Sequence, residues 1–198
     1  MLFLTFLDDF KTFNIPDDVI SRFFSIIKIM MNKNELHYHS FNHLESIFEF
    51  INKHKIETNI LDRISLYFHD VVYVPQYHNN EDASANFCQS LLDPYLQPYQ
   101  ISFITNAIKT TKLHLEKKIN KNFELILDLD LSGFATPYEI YKNNTKLLEK
   151  EFFFVKDFKE KRKSFLMNLI KKPIYRSKQF KQFEPIAQNN IQKDIENL

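Results

Sequence analysis

One glycine, Gly133, serves a chain of 198 residues. Tight β-hairpins put residues at positive φ, where glycine is the usual occupant and asparagine the common substitute. A β-rich fold would need many such turns, and this chain has almost none of the residue that makes them. Helices make no such demand, and the apolar residues recur at helical spacing. Pro16-Asp17-Asp18 opens a helix, with Pro and acidic residues in its first turn. Ile20, Phe23, Phe24, Ile27 and Met31 then mark one face. Ser40 is a candidate N-cap for a second helix bearing Leu44, Ile47, Phe48 and Ile51. A third starts near Asn59 and runs through Leu61, Ile64, Tyr67 and Phe68 into His69-Asp70.

Val71-Val72-Tyr73-Val74-Pro75 reads as extended, and Gln76 to Asn80 as polar loop. A fourth helix from Glu81 carries Ala85, Cys88, Leu91 and Leu92. The pattern predicts further helices over 101–111, 123–131, 138–154, 157–170 and 184–195. The start, MLFLTFLDDF, is short, lacks a basic lead and is interrupted by Asp8 and Asp9. It reads as a docked first helix, not as a signal peptide or membrane span. No internal repeat and no long linker divides the chain. The expectation is an all-α, single-domain bundle of about nine helices over residues 1–198.

Composition narrows the function. Apolar residues make up 44% of the chain and phenylalanine alone supplies 21, ample for a core. The formal net charge of +1 excludes a dominant electrostatic partner such as duplex DNA. The lysines between Lys142 and Lys172 alternate with Glu149, Glu151, Asp157 and Glu160, the pattern of a solvated helix face. The single cysteine, Cys88, permits no disulfide within the chain, which fits a reducing compartment and a cytoplasmic location. Cys88 lies on an apolar helix face and reads as a structural thiol.

Three polar features stand out in apolar surroundings. His69-Asp70 follows a strongly apolar helix and precedes an apolar run, where such a pair is costly to bury without a partner. Neighbours on a regular helix point about 100° apart, but they can converge where a helix ends. His39 and His43 are spaced i, i+4 and share a face if one helix includes both. Asp128 and Asp130 sit in Leu125-Ile126-Leu127-Asp128-Leu129-Asp130-Leu131, where at least one carboxylate is expected to be buried with a counter-charge. Imidazole and carboxylate donors suit a divalent cation, with Mn, Fe, Co, Ni and Zn favoured by this donor set and Mg also admitted.

The arrangement resembles the HD superfamily of metal-dependent phosphohydrolases, and within it the small bacterial branch of predicted HD phosphohydrolases. The similarity lies in Tyr38-His39 with His43, Tyr67-Phe68-His69-Asp70-Val71-Val72-Tyr73, and Asn80-Glu81 with Ser84-Ala85. It continues through Thr111 and His114, Leu127-Asp128-Leu129-Asp130-Leu131, Arg162 with Phe165-Leu166, and Glu184, Ala187 and Asn190. These matches run in order from about residue 36 to 191.

The resemblance implies an all-α fold with a cation held by His39, His69, Asp70 and a late aspartate. Asp130 is preferred for that last ligand, with Asp128 retained as ligand or as outer partner. It also implies metal-assisted hydrolysis of a small phosphorylated metabolite, a nucleotide or related phosphoester. Glu81 is the candidate to orient or deprotonate water, or else a first-turn carboxylate favoured by the helix dipole. His43 is a phosphate contact or general acid, or else an outer or exposed histidine. Arg162 is a phosphate fork, or else a structural ion pair. His114 lines the same pocket or ends a helix, and Tyr38 and Tyr73 pack around the ligands or stack a base.

The chain departs from the family pattern at Leu36, where arginine is frequent, at Ser40 for asparagine, at Asn79 for an acid and at Glu149 for a base. These departures support an alternative: a catalytically weak module that keeps the pocket to bind a ligand or protein partner. Nucleic acid and membrane are not expected as partners. The many aromatics leave material for an apolar homodimer face.

Overall fold

The computed structural model describes residues 2–116 and 118–198. It is all-α, with ten α-helices and no strand among the described residues. Two compact units divide it, residues 1–112 and 113–198. Among the described residues no helix is long and apolar enough to cross a membrane.

The first unit contains α1 (Leu2–Lys11), α2 (Asp17–Met31), α3 (Phe41–His54), α4 (Ile60–Phe68), α5 (Asn80–Leu92) and α6 (Pro98–Thr110). The apolar start is thus a helix (Met1, its first residue, lies outside the described residues). Its faces are those the spacing predicts. Ile20, Phe23, Ile27 and Met31 are buried on α2, and Leu44, Ile47, Phe48 and Ile51 on α3. Phe24 is only half-buried, packed edge-on to Phe6 and Phe41.

Helix α4 packs against α1, α5 and α6. A capping box starts it: the Asp62 amide donates to Asn59 Oδ1 at 2.9 Å, and the Asn59 amide donates to Asp62 Oδ2 at 3.2 Å. Tyr67 lies flat on Phe48, with ring centroids 4.6 Å apart, and edge-on to Phe6 at 4.7 Å. Its hydroxyl donates to Asp9 Oδ2 at 2.9 Å, and Arg63 Nε donates to the same carboxylate at 2.9 and 3.0 Å. Burial, reinforced by the Asp9 charge, pushes the Tyr67 phenol well above its ordinary pKa. Burial likewise raises the Cys88 thiol, so Cys88 is an inert core residue.

The segment after α4 is irregular, not a strand. Side chains of α5 satisfy its backbone. The Val72 amide donates to Ser84 Oγ at 3.0 Å, and Ser84 donates back to the Val72 carbonyl at 3.2 Å. The Val74 amide donates to Asn80 Oδ1 at 3.0 Å, while Asn80 Nδ2 donates to the Val74 and Tyr77 carbonyls. Both side chains are buried, so this loop is anchored directly behind His69-Asp70.

The second unit contains α7 (Glu124–Asp130), a 3₁₀ turn (Leu131–Ala135), α8 (Tyr138–Glu151), α9 (Phe158–Leu169), a 3₁₀ segment (Lys178–Phe183) and α10 (Glu184–Asn197). Helix α10 packs on α8, α9 and the Leu131–Ala135 turn. Asn190 fixes that turn by donating to the Phe134 and Thr136 carbonyls at 2.9 and 2.8 Å. Helix α8 stops at Glu151 and does not continue to 154, and the connection to α9 passes through Asp157 at φ 57°.

Of the two roles expected for Arg162, the structure shows the ion pair. Its guanidinium is buried and donates to Asp194 Oδ2 at 2.9 and 3.1 Å and to Thr145 Oγ1 at 2.9 Å, while Tyr141 donates to the same carboxylate oxygen at 2.7 Å. A charge so enclosed ties α9 to α8 and α10, and we assign Arg162 this structural role in place of a phosphate contact.

Removing Asp9 leaves Arg63 and the Tyr67 hydroxyl without their shared acceptor. Asp9→Ala is expected to cost about 3 kcal/mol in urea unfolding, and Tyr67→Phe about 1 kcal/mol. Because the folded state holds the Tyr67 proton more tightly than the unfolded chain, its contribution is full below about pH 10 and is lost as pH rises further. Tyr67→Phe should therefore flatten the alkaline limb of a stability–pH profile.

Candidate metal centre

The residues that could hold a cation are set by where α4 ends. Phe68 is the last residue of α4, and His69 and Asp70 form the turn that follows. Leaving the helix lets two neighbouring side chains meet, with His69 Nε2 3.1 Å from Asp70 Oδ2. Both are buried, as is His43 in the first turn of α3. The His43 and His69 rings lie 5.6 Å apart between centroids. Within the first unit, one ligand atom from each of His43, His69 and Asp70 lies within 4.8 Å of the others, so this buried group could hold a metal ion.

The hydrogen bonding of His69 tests that fit. Its Nδ1 is 2.8 Å from the Leu66 carbonyl oxygen, which can only accept, so Nδ1 carries the proton. A neutral ring then turns the lone pair of Nε2 toward a carboxylate oxygen. Two acceptors that close repel unless a proton or a cation lies between them. A proton would satisfy His69 and Asp70 alone, whereas a cation engages His43 as well. Donation of the second ring N–H to a backbone carbonyl is also the usual way a metal-binding histidine is oriented.

The structure separates His39 from His43. Helix α3 begins at Phe41, so His39 precedes it and the two do not share a helix face. His39 lies outside the ligand group. It is half-buried and stacked on Tyr73, with centroids 4.0 Å apart and planes 16° apart, and meets Tyr38 edge-on at 4.9 Å. His43, expected as a phosphate contact, is the histidine that stands with His69 and Asp70 in the group that could hold a metal ion. Glu81 lies half-buried in the first turn of α5. Its neighbour Asp82 is held below the usual carboxylate range by its hydrogen bond with Lys112 at 2.8 Å.

In the second unit α7 carries both late aspartates, in different surroundings. Asp128 is fully buried and accepts from the Arg176 amide at 2.9 and 3.1 Å and from the Ser177 amide at 2.7 Å. Burial pushes its carboxyl up to about 6 against the pull of these amides. Asp128 therefore anchors the 176–177 loop. Asp130 has Oδ2 3.1 Å from His114 Nε2. Leu36, where the family pattern has arginine, is buried, and Glu149 is exposed.

Sequence reasoning missed the parts that work through the backbone: the Leu66 carbonyl, the Asn80 and Ser84 loop anchors, and the loop amides at Asp128. Asn80, Ser84 and Asp128 were visible as motif members, but periodicity carries no sign of their partners. No family model matches the chain, and no curated protein matches it.

Asp128→Ala should lower stability by about 2–3 kcal/mol, since it strips two buried amides of their acceptor. Chemical denaturation of the wild-type protein and the variant in parallel checks this.

Proposed function

We propose that the chain is a metal-dependent phosphohydrolase of the HD type, with His43, His69, Asp70 and Asp130 as the ligands of a divalent cation. The observation that carries this reading is the buried His69 lone pair facing Asp70, with a second imidazole beside it. Asp130 is included because the resemblance implies a late aspartate as the last ligand, and Asp130 is the one followed by the short Leu131-Ser132 run. Asp128, the alternative, is committed to loop amides. The resemblance in motif order over residues 36 to 191 supports the same choice.

A bound divalent cation supplies Lewis acidity toward a phosphoryl oxygen and acidifies water. The protein groups prepare for it. The Leu66 carbonyl fixes the His69 tautomer. Glu81 is our candidate to orient or deprotonate the water. We assign His39, held against Tyr73, the substrate-facing role that the resemblance suggested for His43. The substrate is a small phosphorylated metabolite, with a nucleotide or related phosphoester the first class to try.

A second reading has one observation in its favour. Arg162 is spent on Asp194, and Leu36 replaces an arginine, so neither supplies a cationic phosphate contact. Under this reading the protein binds cation and ligand without turnover.

Metal analysis after expression in metal-replete medium, with a phosphatase and nucleotidase panel, separates the two. The hydrolase reading expects bound transition metal and turnover of some phosphoester. His69→Ala and Asp70→Ala should each weaken metal binding by at least 100-fold and abolish turnover. Metal without turnover, and tolerance of Glu81→Ala in ligand binding, supports the second reading. Protein that cannot be loaded with any divalent cation sinks both.

A further inference from the structure

We propose that His114 is a positioning residue for Asp130: its Nε2–H donates to Oδ2 and fixes the orientation in which the carboxylate ligates. This rests on the reading of Asp130 as a ligand. His114 Nε2 and Asp130 Oδ2 are 3.1 Å apart, with both side chains largely shielded. The ring's other nitrogen, Nδ1, is buried and has no hydrogen-bond partner among the described residues. A proton there would be a buried donor with no acceptor, which is costly, so the proton belongs on Nε2, where a carboxylate accepts it. The bond is then charge-assisted and directional.

The backbone holds the ring in place. Arg176 Nη2 donates to the His114 carbonyl at 3.1 Å and to the Glu116 carbonyl at 2.7 Å. The main-chain amide of Arg176 is itself gripped by Asp128. A closed circuit therefore runs from Asp128 through Arg176 to His114 and back to Asp130, which lies two residues from its start on α7. Each member restrains the next. His114 itself does not belong to the ligand group, so its effect on a cation passes through Asp130.

The test is Mn²⁺ affinity, read by calorimetry and by the loss of the free-ion paramagnetic resonance signal, with Tm measured in parallel. His114→Ala should weaken Mn²⁺ binding by roughly 10–100-fold. His114→Gln, whose amide donates from near the position of Nε2, should recover affinity to within about threefold of wild type. A purely structural histidine would not show this rescue at equal Tm. Should His114→Ala fail to fold, His114→Asn, whose amide is too short to reach, takes its place. Unchanged affinity in the alanine or asparagine variant overturns the proposal alone, as does a glutamine variant no better than alanine at matched Tm. Wild-type protein that takes up no Mn²⁺ overturns the ligand reading and this proposal with it.

Discussion

The hydrogen bond from His69 Nδ1 to the Leu66 carbonyl is the contact on which the site depends. It joins the last turn of α4 to the residue just past its end. It also settles which ring nitrogen has a lone pair to offer. Everything that fixes α4 therefore fixes the chemistry of His69. The capping box at Asn59 and Asp62 sets where the helix starts, and the Asp9–Arg63–Tyr67 contacts hold it against α1. On the other side of His69-Asp70, Ser84 and Asn80 hold the departing chain by four side-chain bonds to residues 72 and 74. The pair is pinned before and behind, which keeps a buried histidine and aspartate at hydrogen-bond distance without a helix to align them.

Scarcity of glycine shapes the fold in a way only partly visible in the sequence. It argues correctly against β-structure. It does not say how the helices are to turn. The structure answers with Asn14, Lys55 and Asp157 at positive φ, while Gly133 itself is not in that region. Asparagine and aspartate tolerate the left-handed conformation, but lysine has no such excuse. Lys55 adopts it as the C-cap of α3, where its amide reaches the Ile51 carbonyl. The overlong expectation for α8 has the same origin. Phe152 to Phe154 extend an apolar run, so periodicity continues the helix, and no glycine marks its stop at the Phe152 C-cap; Asp157 instead caps the start of α9.

The helix faces were legible because burial follows a repeat of about 3.6 residues. Much of the site was legible too, since His69, Asp70 and the late aspartates are polar residues in apolar company. What was not legible is which of two similar residues does which job. His39 and His43 carry the right spacing for one face, yet the helix begins between them, at Phe41, so only His43 lies on it. An ion pair was among the roles expected of Arg162, but its partner, Asp194, lies 32 positions away and no local pattern announces it.

The aspartates of α7 make the same point from geometry. Two residues apart on a helix point about 200° apart, so Asp128 and Asp130 cannot serve one partner. In an apolar run both faces are shielded, and each carboxylate needs its own compensation. Asp128 finds it in backbone amides, which satisfy a buried charge without adding another. Asp130 faces the imidazole of His114 instead, with Oδ2 3.1 Å from Nε2. The division follows from the helical repeat: one carboxylate ties down the loop whose arginine steadies His114, and the other meets the His114 ring itself.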